Sequence, residues 1–394
     1  MSVVDEPVER YLIAGLRLGR HIDGLVDAYY GPPALADGVA DEPVLDAARL
    51  VHDLTALLAD LDGGVGDLDP VRRRWLRAQT VGLHTTAERL AGVAMAYADE
   101  VERSYGVRPA PIPEDELLAA HRRLDEVLPG RGSIADRSIA WREAHAVPVE
   151  KLREAVDVLL DDFRRRTSEL FGLPDGEHVA IELVANEPWS GFNYYEGDLR
   201  SRVAINTDLP VLSLSLGHLI AHEAYPGHHT EHTRKEAGLV RQRRQAEETI
   251  FCVGTPQCLL AEGLADLAIE ILIGPDHHLV VAELLRPLGL RYDAEVATEV
   301  AAAGEALAGV RANLAWMLNE EHRPVDEVVA YAEQWALLPR ARAEKAVEFL
   351  TDPTWRAYIH CYIDGVRLCR AFVDGDPARF ERLITEQLIP DDLG

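Results

Sequence analysis

The sequence predicts a mainly α-helical protein: large, two-lobed, with a small antiparallel β-sheet beside the helix that carries its chemistry. Apolar residues recur at helical spacing along most of the chain. Strand signals concentrate in one stretch, residues 178–208. No repeat of fixed period and no low-complexity tract interrupts either pattern.

Taken in order, segments 5–28 and 43–61 read as helices. From Asp69 onward Leu76, Leu83, Leu90 and Tyr97 recur every seven residues, with Thr80, Ala87 and Ala94 beside them. With Pro70 at its first turn, this predicts one helix of about eight turns. Pro148 opens the next, with Leu152, Val156, Leu159 and Phe163 on one face. Leu173-Pro174-Asp175-Gly176 then marks a lobe boundary, so residues 1–175 form an N-terminal helical lobe and 176–394 a second, histidine-bearing lobe of one integrated unit. Within 178–208, Val179 to Val184 is an apolar run, Phe192 to Tyr195 is aromatic, and Val203 and Ile205 alternate with polar residues. Asn186, Pro188, Gly191 and Gly197 supply turns. Helices resume after Pro210 and over 254–273. The longest pattern runs Val296, Val300, Ala303, Leu307, Val310, Leu314, Met317; segments 353–373 and 376–388 complete the chain.

Composition narrows the function. The 394 residues are 47% hydrophobic and 27% charged, with Lys+Arg 40 against Asp+Glu 67 and a formal net charge of -27. Nucleic acid and anionic membrane surfaces require clustered positive charge, so neither is an expected partner. The four cysteines, Cys252, Cys258, Cys361 and Cys369, make no CxxC pair and read as small buried hydrophobes in a reducing compartment. MSVVDEPVER has no apolar signal-peptide core, and no stretch reaches the length of a membrane span. The expectation is a soluble, cytoplasmic protein.

Five of the 15 histidines fall at His218, His222, His228, His229 and His232. The core string is His222-Glu223-Ala224-Tyr225-Pro226-Gly227-His228-His229. Hydrolysis at zinc uses such residues: imidazoles and a carboxylate bind the ion and leave one position open for water, and a glutamate beside the first ligand acts as general base. The usual spacing, HExxH, puts both histidines on one helical face. Here position 226 is proline. Six residues rotate an ideal helix through about 600°, which separates His222 from His228; seven, to His229, rise about 10.5 Å. Either pairing requires a helix break, and Pro226-Gly227 can supply one. A third ligand stands in Ala261-Glu262-Gly263-Leu264-Ala265-Asp266. Glu262 and Asp266 share a helical face flanked by Leu259, Leu260, Leu264, Leu267 and Ile269. Glu262 would bind the ion, and Asp266 would accept a hydrogen bond from a ligating histidine.

The string HEAYPGHH resembles the HExxPGHH signature of the DUF885 family, whose members are similar to gluzincin-type zinc metallopeptidases. The resemblance covers residues 190–370, including Asn193-Tyr194-Tyr195-Glu196-Gly197, Arg200-Ser201-Arg202, Ile205 to Pro210, Glu262-Gly263 and Tyr362-Ile363-Asp364-Gly365. It implies a gluzincin-like fold, with Zn2+ held by His222, His228 and Glu262, Glu223 as base, and Tyr362 stabilising the developing oxyanion. It also implies that the 191–206 hairpin lies along the cleft, making Tyr194, Tyr195 and Arg202 candidates for substrate contact. Leu264 and Leu267 stand where the family carries aromatics, and the chain is shorter than typical members. His229 remains an alternative second ligand. His360 and Arg367 bracket Tyr362 and would either meet a substrate carboxylate or serve as satisfied polar residues. The expected function is zinc-dependent hydrolysis of amide bonds in short peptides. The alternatives are a zinc enzyme acting on a non-peptide specialised metabolite and a non-catalytic metal-binding scaffold; a scaffold has no use for Glu223.

Overall fold

The fold is given by a computed structural model, which describes residues 5–187, 189–208, 210–352 and 355–394. Pro188 therefore lies outside the described residues, as do Leu209 and the start of the expected helix at Pro353. Capping residues set many helix starts. Asp69 accepts hydrogen bonds from the backbone N–H groups of Val71 and Arg72, and Pro70 occupies the first turn. Asp46, Asp293 and Asp376 cap Ala47–Asp62, Ala294–Ala308 and Pro377–Thr385 in the same way.

Several expected helices are shorter than their periodicity. Pro70–Leu90 ends where Gly92 adopts a left-handed φ of 78°, and Tyr97 opens a separate helix, Tyr97–Tyr105. The heptad survives the turn because both helices bury their apolar residues in one core: Leu76, Leu83 and Tyr97 are all buried. The pattern from Val296 to Met317 likewise divides at Gly309 into Ala294–Ala308 and Val310–Asn319. Val149–Phe171 and Pro256–Ile273 match their expected segments closely.

The first expected helix is corrected more sharply. Glu6–Gly19 is helical, but Val26–Tyr29 forms a strand, β1. The other strands are β2 (His178–Val184), β3 (Gly191–Gly197), β4 (Arg200–Asn206) and β5 (Ile250–Cys252). β1 pairs antiparallel with β5. The second sheet has the order β2-β4-β3 and is mixed, not antiparallel as expected. β3 and β4 form an antiparallel hairpin, while β2 runs parallel to β4. β4 thus inserts between the two strands that precede it, leaving β3 on an edge.

One apolar core reaches from Val8 to Leu393. Leu76 and Leu83 of Pro70–Leu90 belong to it together with Leu259, Leu264 and Ile269 of Pro256–Ile273. Residue 175 falls in the turn between Phe171 and His178, and the core continues across it. Among the described residues no helix is long and apolar enough to cross a membrane.

Candidate metal centre

Leu212 is extended and bridges to Ala146, and helix begins at Ser213. Ser213–Glu223 buries Leu216 and Ile220, and it ends at Glu223. A cis Tyr225–Pro226 bond follows, and helix restarts at His228–Lys235. Between them the Gly227 N–H donates to the carbonyl of Ala221 at 2.9 Å, six residues back. A Cβ at Gly227 would lie 2.0 Å from the His222 carbonyl oxygen, so only glycine fits this approach. The break brings His228 Nε2 to 3.2 Å from His222 Nε2.

Glu262 arrives from Pro256–Ile273, the helix packed beside it. Its Oε2 lies 3.4 Å from His222 Nε2 and 3.8 Å from His228 Nε2. Ligand atoms about 2.0–2.2 Å from one tetrahedral ion stand about 3.3–3.6 Å apart. The triangle fits a zinc-sized cation in spacing and donor type. Glu262 Oε2 is also buried without a hydrogen-bond partner among the described residues, which a cation would satisfy.

The surroundings orient this triangle. His222 Nδ1 lies 2.9 Å from Asp266 Oδ1, so a proton on Nδ1 donates to the carboxylate and Nε2 is the nitrogen that faces the centre. Tyr358 donates its hydroxyl to Glu262 Oε1 at 2.7 Å, and the Tyr362 hydroxyl lies 3.1 Å from that of Tyr358. Tyr362 sits in a π-helical segment, Cys361–Gly365. There Gly263 and Gly365 let two backbones touch, since a Cβ on Gly263 would lie 2.4 Å from the Gly365 carbonyl oxygen. That crossing sets both tyrosines over Glu262.

Electrostatics follow the geometry. Burial opposes charge on His222, but Asp266 and Glu262 outweigh it and raise its pKa well above the ordinary value. His228 is raised too, Glu262 overcoming burial. Burial alone would raise Glu262, yet the two histidines hold it well below the usual carboxylate range. Glu223 is 7% exposed, and its carboxylate has no hydrogen bond or ion pair among the described residues. Burial raises its pKa, His222 and His228 opposing.

The remaining candidates fall elsewhere. His229 is fully buried and faces away from the centre, its Nδ1 2.8 Å from Ser201 Oγ and its Nε2 2.8 Å from Glu177 Oε2. Tyr195 is a core residue, bonded through its hydroxyl to Glu236 and stacked on His232. Arg202 pairs with Glu182 and Glu196 on the sheet and lies over the Tyr194 ring. His360 is satisfied by Asp364 at 2.6 Å and Tyr97 at 3.0 Å. Arg367 is exposed, near Glu116. Leu264 and Leu267 are buried in the core.

Three residues of the site received no role from the sequence. Tyr358 is one; its spacing of four from Tyr362 on a helix was the available signal. Asn193 Nδ2 donates to the Glu223 carbonyl at 2.6 Å and holds the end of the histidine helix against β3. Asp27, on β1, is the third. Burial pushes its carboxyl up to about 7, with His228 opposing and Glu262 and Glu223 adding.

No family model matches the chain, and no curated protein does. Among solved structures, one titled "The crystal structure of the putative lipoprotein from Colwellia psychrerythraea" is similar with a TM-score of 0.53 and 16% identity. The likeness covers 89% of this chain and 66% of that one, so the chain spans just under two thirds of its length. A Shewanella oneidensis protein, also titled a lipoprotein and of unknown function, gives a TM-score of 0.47 at 14% identity, over 91% of this chain and 74% of that one. At these identities the first likeness is one of fold alone.

Proposed function

We propose that this chain is a zinc-dependent hydrolase of amide bonds that acts on short peptides, and that it is a DUF885-type protein. One observation carries the reading. Two imidazole nitrogens and a buried, unpartnered carboxylate oxygen converge within 3.2–3.8 Å, next to the free carboxylate of Glu223. His222, His228 and Glu262 would hold Zn2+, which when bound polarises a carbonyl and activates water.

The chain's own residues supply the rest. Glu223 follows His222 directly, so its carboxylate is placed to take a proton from the attacking water and return it to the leaving nitrogen. The Tyr362 hydroxyl donates to the oxygen on which charge develops. Asp266 holds the His222 ring in one tautomer, and Tyr358 fixes Glu262. A scaffold reading leaves the buried Glu223 without purpose. A zinc enzyme acting on a non-peptide metabolite would use the same centre, and turnover of a peptide library separates the two. Four buried free thiols suit a reducing compartment, so the proposal includes a cytoplasmic setting.

Glu223→Gln tests the mechanism. It keeps the side-chain volume and removes the base. We expect about one zinc per chain in both proteins, and a loss of roughly 10²–10⁴-fold in turnover of a dipeptide or tripeptide library. Full activity in the zinc-loaded variant would end the mechanism. A wild type that retains zinc and cleaves no peptide would move the reading to other amides.

A further inference from the structure

We propose that Asp27 binds a protonated amine of the substrate, the free N-terminus of a short peptide, and so directs hydrolysis to the start of the chain. This rests on the hydrolase reading above and names its substrate class. The argument begins with the backbone. β1 pairs with β5, but the register shifts between Val26, opposite Cys252, and Ala28, opposite Phe251. Asp27 is the residue at that irregularity. Bulges of this kind re-aim a side chain and recur beside active sites.

The carboxylate it presents is unmatched. Asp27 has no hydrogen bond or ion pair among the described residues. It lies close enough to His228, Glu262 and Glu223 for their charges to act on it, and it acts in turn on Tyr194 and Cys258. It does not belong to the triangle of candidate ligands. Asp27 is itself partly buried, and Glu223 beside it is buried and unpartnered.

Charge then selects the ligand. Counted as carboxylates, Glu262, Asp266, Glu223 and Asp27 outnumber the charge of a divalent cation by two, and with no cation paired to it burial holds the Asp27 carboxyl up at about 7. Among the described residues no lysine or arginine pairs with any of the four; Arg202 and Arg367 are engaged elsewhere. A substrate's terminal carboxylate would find no cation here. An ammonium group would find an unpaired carboxylate in a low-dielectric setting, where a charge-assisted hydrogen bond is strong. With the amine held at Asp27, a nearby carbonyl of the same peptide meets the centre. Water adds to that carbon, the C–N bond breaks, and Glu223 passes the proton to the leaving nitrogen.

Leucine hydroxamate and N-acetyl-leucine hydroxamate separate the two ideas, because both chelate zinc and only the first carries an amine. Their affinities for the zinc-loaded full chain, wild type and Asp27→Asn, can be read by calorimetry. We expect the wild type to prefer the free amine by about 10- to 100-fold, and Asp27→Asn to lose that preference. Equal binding of both probes by the wild type overturns the proposal alone, as does a preference that persists in Asp27→Asn. Binding of neither probe removes the hydrolase reading and the proposal with it. The wild-type comparison requires no variant to fold.

Discussion

Tyr358, partly buried, and His229, fully buried, both form hydrogen bonds close to the histidine string, yet they serve different parts of the molecule. Tyr358 donates to Glu262 Oε1 and leaves Oε2 for an ion. Outer partners of this kind typically contribute about 10–100-fold in metal affinity. Tyr358→Phe should therefore weaken zinc binding by about that factor in a chelator competition, with the fold intact. His229 lies between Ser201 and Glu177, tying His228–Lys235 to β4 and to the entry of β2. His229→Ala should keep about one zinc per chain and lower the melting temperature, since unpairing buried groups costs about 1–3 kcal/mol. His228→Ala should instead lose the zinc. If metal analysis gave the reverse pattern for His228 and His229, the ligand assignment would fall.

At the scale of elements, the site depends on a helix that stops. Gly227 has no room for a side chain against His222, so Gly227→Ala must push His228–Lys235 away from Ser213–Glu223. We expect it to weaken zinc binding although it alters no ligand; unchanged affinity in a competition titration would show that the break does not set the ligand spacing. This feature was legible in the sequence because it is local: the proline, the glycine and the impossible helical spacing lie within eight residues. Glu262 and Asp266 were legible for the same reason, being four apart on a strongly apolar helix. Asp27 was not. Its strand has four residues, and its partner β5 lies more than 200 positions away, so no local pattern marks it. The sheet was misread in one respect for the same cause. Strand content shows in alternation, but the parallel pairing of β2 with β4 is decided by tertiary packing. Helix breaks at Gly92 and Gly309 were hidden because apolar spacing persists when both pieces face one core.

At the scale of the whole molecule, parts of the chain far apart in sequence are joined by polar groups as well as by the apolar core. Arg72, in Pro70–Leu90, grips Glu247 with two hydrogen bonds of 2.5 and 2.8 Å, and Gln387 near the C-terminus reaches the same carboxylate at 3.2 Å. Beside it Glu248 is only weakly served. Gln257 donates to its Oε2 at 3.2 Å, its Oε1 has no partner among the described residues, and the nearby Lys235 is bonded to Glu231. Burial pushes the Glu248 carboxyl from an ordinary 4.5 up to about 7. Below pH 4.5 it is protonated in folded and unfolded chains alike, and its titration costs nothing. As pH rises from there the unfolded chain gains by ionising while the folded chain holds its proton, so stability falls until about pH 7 and then levels. The full difference amounts to about 3 kcal/mol. With a net charge of -27, general repulsion also grows with pH, so the melting curve of the wild type alone cannot isolate this group. Glu248→Gln can, because it removes one carboxyl and leaves the background nearly unchanged. The gain in melting temperature over wild type should be larger at pH 8 than at pH 5. A gain that is equal at the two pH values, or a loss at pH 8, would mean that Glu248 is held as a carboxylate by Lys235 and that the core is ionic at this point.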